Sequence, residues 1–226
     1  MNLGPNKNAL KSSAYDIRYA EAFNRTASTT VAATSRLAEQ LGINVFSTGG
    51  IGGVHRFDKK YEFDVSADLT ELAKTDVLVV SAGCKAILDL RGTAEVLETN
   101  EVLTVGYQTN EMPAFYSRES GIKLDYKVDN TMEAAKLYTT GDMYHHGYLL
   151  FNPIPKEAEI KREDIEPYIL EALGSMPENV TGKAVTPYLL GKMKEITNDK
   201  SVEANLALIK NNVAIGAQIA RDIKQI

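Results

Sequence analysis

The sequence predicts an α/β fold, a three-layer α/β/α arrangement with a mainly parallel sheet and a helical C-terminal part. Three observations predict it. From Thr30 onward, short apolar runs rich in β-branched residues alternate with stretches of helical periodicity. The strand-like runs end in small residues and glycines, as loops at the carboxyl edge of a parallel sheet do. From Glu163 the helical pattern takes over, closing in the alanine-rich stretch from Val202 to Ile223.

Residues 1–10 are polar and carry glycine and proline, the composition of a loop rather than of a domain's first strand. A helix is predicted from Thr30 to Leu41, with Gly42 at the position of a C-terminal cap. Ile43 to Thr48 reads as a strand running into Gly49-Gly50-Ile51-Gly52-Gly53, and Tyr61-Glu62-Phe63 is strand-like. The scheme repeats with a short helix from Asp68 to Lys74, a strand from Val77 to Ser81, a helix from Ala86 to Thr99 and a strand from Val102 to Tyr107. After Pro113 the pattern loosens until Tyr148-Leu149-Leu150-Phe151, a strand broken by Asn152-Pro153-Ile154-Pro155. Glu163 to Leu173, Thr186 to Thr197 and Val202 to Ile223 read as helices. No repeat or low-complexity linker divides the 226 residues, so one α/β domain is expected.

A net charge of −5 with lysines scattered among acidic residues gives no basic stripe, which argues against a nucleic-acid polymer as partner. The lone cysteine, Cys84, has no partner for an internal disulfide, and no apolar run approaches the roughly 18–20 residues of a membrane span. The opening residues lack the apolar core of a signal peptide, and a cytoplasmic location is expected.

Four constellations can carry chemistry. The loop Ser47 to His55 can bring backbone N–H groups close to a phosphate or sugar, although a tight turn explains it as well; it matches neither a dinucleotide fingerprint nor a Walker sequence. His55 alone is more simply a structural hydrogen-bonder, and the adjacent His145 and His146 point to opposite faces and chelate poorly. Asp68 fits an N-cap with Glu71 three residues on, whereas Asp64 is free to hold a hard divalent cation with water completing the shell. Lys85 ends the run Val77 to Cys84. On composition alone it is a solvated lysine. Placed at a helix N-terminus in a sheet-edge pocket, it would have a depressed pKa and a free amine able to attack a carbonyl carbon.

The blocks TASTTVAAT (26–34), NVFSTGGIGGVHR (44–56), DVSADLTELA (64–73), VVSAGCKAILDL (79–90) and VGYQTNEMPAFY (105–116), with GKAVTPYLL and EANLALIKNN near the end, resemble the pseudouridine-5′-phosphate glycosidase family, also called indigoidine synthase A-like. The resemblance runs in order from about Lys11 to the C-terminus. It implies an α/β/α fold, a homotrimer, a bound manganese ion, and reversible conversion of pseudouridine 5′-phosphate and water into uracil and ribose 5-phosphate. A carbon–carbon glycosidic bond has no heteroatom leaving group to protonate, so the two-carboxylate scheme of ordinary glycosidases does not suffice. The resemblance makes Lys85 the nucleophile that forms an imine with C1′ of the opened ribose. It implies Asp64 as the metal-site aspartate, and Lys11, Val31, Ser66, Ala67, Asp68 and Asn205 as substrate contacts.

Two departures accompany it. Where the family carries K-x-S-R-R-D, this chain has Lys11-Ser12-Ser13-Ala14-Tyr15-Asp16, without either arginine. The family's N-terminal segment, with its acid/base glutamate, also has no counterpart here, so the expectation is a domain lacking its N-terminal part, with a separate N-terminal polypeptide as the candidate partner that would supply it. The readings kept beside the glycosidase are a non-catalytic sugar-phosphate-binding subunit and a lysine-dependent, aldolase-like lyase acting on another sugar phosphate.

Overall fold

The structure, a computed structural model, describes residues 8–56, 64–140 and 147–226. The elements are β1 (Leu10–Ser12), α1 (Ile17–Ala22), β2 (Ala27–Thr29), α2 (Val31–Gln40), β3 (Val45–Ser47), β4 (Val54–His55), α3 (Ala67–Leu72), β5 (Leu78–Ser81), β6 (Leu88–Asp89), α4 (Leu90–Thr99), β7 (Leu103–Tyr107), β8 (Tyr126–Val128), α5 (Thr131–Thr139), β9 (Tyr148–Phe151), α6 (Arg162–Gly174), α7 (Val185–Ile196) and α8 (Lys200–Ile223). Five strands make a wholly parallel sheet in the order β3-β5-β9-β7-β8.

A parallel sheet is covered on both faces, so its central strands have no solvent side. β5 and β9 are accordingly buried at every position. Alternation then sorts their side chains between two cores. Leu78, Val80, Tyr148 and Leu150 join Ala134 and Ala135 of α5 and Ile219 of α8. Val79, Leu149 and Phe151 join Leu69 and Leu72 of α3 and Leu97 of α4 on the other face. Each fully buried Val, Leu, Ile or Phe side chain among them contributes about 1.5–3 kcal/mol over its exposed state. The expected mainly parallel sheet between helical layers is present, as is the helical C-terminal part.

Four local expectations are corrected. The helix predicted from Ala86 begins at Leu90, because Leu88–Asp89 pair antiparallel with Val54–His55 and hold the intervening residues out of helical geometry. The α3 cap is Ser66, whose Oγ accepts from Asp68 N–H at 3.2 Å; Asp68 is inside the helix and uses its carboxylate elsewhere. Of residues 1–10, read as loop, residues 1–7 lie outside the described residues, and Leu10 opens β1, where Leu10–Ser12 pairs in parallel with Ala27–Thr29. The loosely patterned region after Pro113 holds β8 and α5, whose N-cap Asn130 accepts from Glu133 N–H at 2.9 Å. The strand-like Tyr61–Phe63 and the pair His145–His146 lie outside the described residues. Among the described residues, no helix is long and apolar enough to cross a membrane.

Candidate active site

The strands β3 and β5 lie side by side, and the loops leaving their carboxyl ends form the floor of a cavity of about 840 Å³. That is within the range of about 300–1,000 Å³ typical of small-molecule sites. From β3 comes the glycine loop. Its Thr48 and Gly49 carbonyls accept from the amide of Asn212, a fully buried α8 side chain that in turn accepts from Asn152 at 3.0 Å. Gly52 N–H donates to Asp68 Oδ2 at 2.8 Å, and a Cβ at Gly52 would fall 2.7 Å from that same oxygen. Only glycine lets the loop approach the carboxylate so closely.

Asp68 is the hinge of the floor. Its second oxygen accepts from Ala32 N–H at 2.9 Å, in the first turn of α2, so one buried carboxylate ties the glycine loop to a helix N-terminus. This explains why Asp68 is not the cap of its own helix. Ser66 and Ala67, just before it, face the same cavity.

From β5 the chain turns at Gly83, which has φ +94° and lies against the Pro113 carbonyl, and then presents Lys85. Lys85 is half-buried in neither helix nor strand; its N–H donates to Ile51 carbonyl at 3.2 Å. Burial lowers its pKa, reinforced by Lys11 and opposed by Asp68 and Cys84. The helix-dipole contribution expected from the sequence is absent, since α4 starts five residues later (90 − 85). Desolvation carries the shift instead.

Asp64 reaches the cavity opposite, its side chain 42 % exposed and its Oδ2 3.8 Å from His55 Nε2. Burial holds the His55 pKa down, against the opposing pull of Asp64. Among the described residues there is no group of three or more metal-ligating side chains. Asp64 offers a single half-exposed carboxylate on this wall.

The upper wall is basic. Lys11 Nζ donates to the Lys183 carbonyl at 3.1 Å, and Lys183 Nζ donates back to the Lys11 carbonyl at 3.2 Å and to Asp16 Oδ2 at 2.6 Å. Lys183 Nζ also lies 4.9 Å from the centroid of the Tyr15 ring. Burial lowers the Lys11 pKa, opposed by Asp68. Lys11, Val31, Asp64, Ser66, Ala67, Asp68, Lys85 and Asn205 all line this one cavity.

A sequence profile described as "Indigoidine synthase A like protein" matches residues 2–222. The chain belongs to this family. A pseudouridine-5′-phosphate glycosidase from Caldanaerobacter subterraneus subsp. tengcongensis is 48% identical over 227 residues, spanning 99% of this chain and 74% of the relative. One from Petrotoga mobilis is 48% identical over 223 residues, spanning 97% and 72%. Among solved structures, the prealnumycin C-glycosynthase AlnA in complex with ribulose 5-phosphate superimposes with a TM-score of 0.89 at 35% identity, covering 98% of this chain and 74% of AlnA. An indigoidine synthase A-like protein from Thermotoga maritima gives 0.87 at 40% identity, covering 97% and 72%.

Three residues of this family member that line the cavity were not among the site residues expected from the sequence. His55 looked like a structural histidine because its partner Asp64 is nine positions away (64 − 55), with no periodicity to join them. Lys183 lay in a resembling block without a feature of its own. Phe115 is held at φ 65° by an N–H donated to Ala82 carbonyl at 2.9 Å, a conformation no composition announces.

Proposed function

We propose that this chain is a pseudouridine-5′-phosphate glycosidase acting through a Schiff base on Lys85. The observation that carries the reading is an amine whose pKa is lowered by burial, facing a cavity of sugar-phosphate size with a carboxylate on one wall and lysines on another. The names of its close relatives agree with that chemistry.

In this reading the neutral Lys85 amine adds to C1′ of the sugar while O4′ departs as the protonated ring-opened alcohol. The nitrogen lone pair then forms the C1′=N bond, and the electrons of the C1′–C5 bond leave with uracil, where C5 takes a proton. Water hydrolyses the iminium, returning ribose 5-phosphate and the free lysine. Asp68 keeps the glycine loop and the α2 terminus in register around the sugar, and the Lys11–Lys183 wall receives the phosphate. Ser66, Ala67, Val31 and Asn205 complete the substrate contacts. A divalent cation such as manganese, held by Asp64, would supply charge neutralisation near the sugar oxygens. A homotrimer belongs to the same reading, and native mass spectrometry reads it directly.

The test is reduction with borohydride in the presence of ribose 5-phosphate, followed by peptide mapping, beside a direct assay of uracil release. The expected result is a sugar-phosphate adduct on Lys85, abolished together with turnover in Lys85→Arg. An unmodified Lys85 would overturn the proposal. The AlnA neighbour favours one second reading, carbon–carbon chemistry between a sugar phosphate and a different aromatic carbon. That reading predicts the same adduct with no use of uracil.

A further inference from the structure

Lys85 has no regular element to hold it. It sits on a turn between β5 and α4, tied forward through Lys85 carbonyl, which accepts from Leu88 N–H at 2.9 Å, and sideways through its own N–H to Ile51. Its placement therefore depends on whatever fixes residues 86–88. One side chain does that from behind. Arg56 follows His55 on β4; His55 lines the cavity, and Arg56 turns to the opposite side. Its Nη2 donates to the Ala86 carbonyl at 3.0 Å and its Nε to the Leu88 carbonyl at 3.1 Å. The guanidinium is itself anchored by Glu166 of α6, through Nη1 to Oε1 and through Nη2 to Oε2 at 3.2 Å.

The geometry points to Arg56 as a positioning residue for Lys85, with Glu166 as its anchor. The inference rests on the reading of Lys85 as the nucleophile. Arginine is needed for a geometric reason. Two carbonyls two residues apart and a carboxylate on a third element are met at once by a planar fork of donors, which a lysine ammonium on a flexible stem cannot reproduce. The side chains are 23 % and 31 % exposed and a smaller cavity of about 250 Å³ opens beside them, so the ion pair is screened and its value is directional more than energetic. The same strand pairing carries the effect to both sides of the site: His55 is opposite Leu88, so a shift of Arg56 moves the histidine and the lysine turn together.

The test compares Arg56→Lys and Glu166→Gln with the parent chain in three measurements: steady-state kinetics, the pH dependence of borohydride trapping at Lys85, and thermal unfolding. Expected for Arg56→Lys is kcat lower by about 10–100-fold with KM little changed, as about 1 Å of misplacement produces. The rising limb of trapping should also move to higher pH, because a less enclosed amine returns toward its ordinary pKa. Glu166→Gln should show the same signs at smaller size, and it decides the matter if Arg56→Lys does not fold. A purely structural role would lower the melting temperature and leave the trapping rate per folded site and its pH limb unmoved; that result overturns the inference. Trapping at Lys85 in the parent with unmoved variants sinks the Arg56 role alone. No trapping in the parent sinks the nucleophile reading and this inference with it.

Discussion

The floor of the cavity and its basic wall are built by opposite means. The floor, made of the glycine loop, residues 64–68 and the Lys85 turn, is fixed by polar side chains that are wholly or largely buried: Asp68 to two backbone N–H groups, Asn212 to two carbonyls, Arg56 to two more. The wall, made of Lys11, Tyr15 and Lys183, is held by half-exposed or exposed side chains, with Lys183 50 % exposed: the two lysines bond to each other's carbonyls, and Lys183 pairs with Asp16 and lies over Tyr15. Buried, fully satisfied polar groups specify one geometry because every alternative leaves an unpaired group in a low dielectric. Exposed charges attract without fixing position and weaken with salt. The chemistry that needs sub-ångström placement is accordingly expected on the floor, and recognition of the substrate's charge on the wall.

The sharpest way to break this division is Asp68→Asn. The carboxylate accepts from Ala32 and Gly52 with its two oxygens; an amide offers one oxygen and turns an N–H toward the other donor. Leaving a buried donor unsatisfied costs about 1–3 kcal/mol, and more where a charged group made the bond. The variant should unfold earlier in denaturant by that amount, and its turnover should fall by about 100-fold as the glycine loop loses its tether. Normal turnover with lowered stability would show that the floor's rigidity serves folding alone.

Legibility in the sequence followed the same division. The parallel sheet was readable because β5 and β9 are buried on both faces and so appear as unbroken apolar runs. The elements that went unseen, β1, α1, β2, β4, β6, β8 and α5, are short or half-exposed and carry little hydrophobic period; Tyr126 of β8 is 60% exposed. The start of α4 was misplaced because Ala86-Ile87-Leu88 has helical composition, and only pairing with β4, thirty-odd residues upstream, holds Leu88 extended. The expected site residues come from local blocks, and Lys85 and Asp64, named from such blocks, both line the cavity. Arg56 and Asn212 went unassigned: their work is done through backbone carbonyls distant in sequence, and a carbonyl leaves no mark on composition.

A smaller effect is expected from pH. Burial lowers the Lys85 pKa, and the charged or titratable groups acting on it are Asp68, Lys11 and Cys84, with His55 also within reach. The trapping rate should rise with pH at a midpoint below 10.5, the ordinary lysine value. Stability has the same sign. Between the lowered folded pKa and 10.5 the unfolded chain binds the extra proton, so stability rises with pH across that window; below it both states are protonated and the full desolvation cost is present. Lys85→Met should flatten this slope to the part that Lys11, lowered in the same sense, contributes, measured as the difference in denaturant midpoint across the window. A slope unchanged in Lys85→Met would assign it wholly to other groups.

The smallest effect sharpens the comparison from the other side. Lys183→Met keeps the apolar stem while removing the charge that pairs with Asp16 and lies over Tyr15. Exposed pairs of this kind are worth about 0–1 kcal/mol, so the melting temperature should barely move. What should change is capture of the phosphate: KM several-fold higher at low salt, kcat nearly unaltered, and the gap from the parent narrowing as the screening length shrinks to about 3 Å at 1 M salt. Association driven by field rather than by fixed contacts has that signature. A Lys183→Met variant that instead lost kcat, with no dependence on salt, would place this lysine among the positioning groups of the floor, and the half-exposed wall would then be holding geometry that its exposure says it cannot hold.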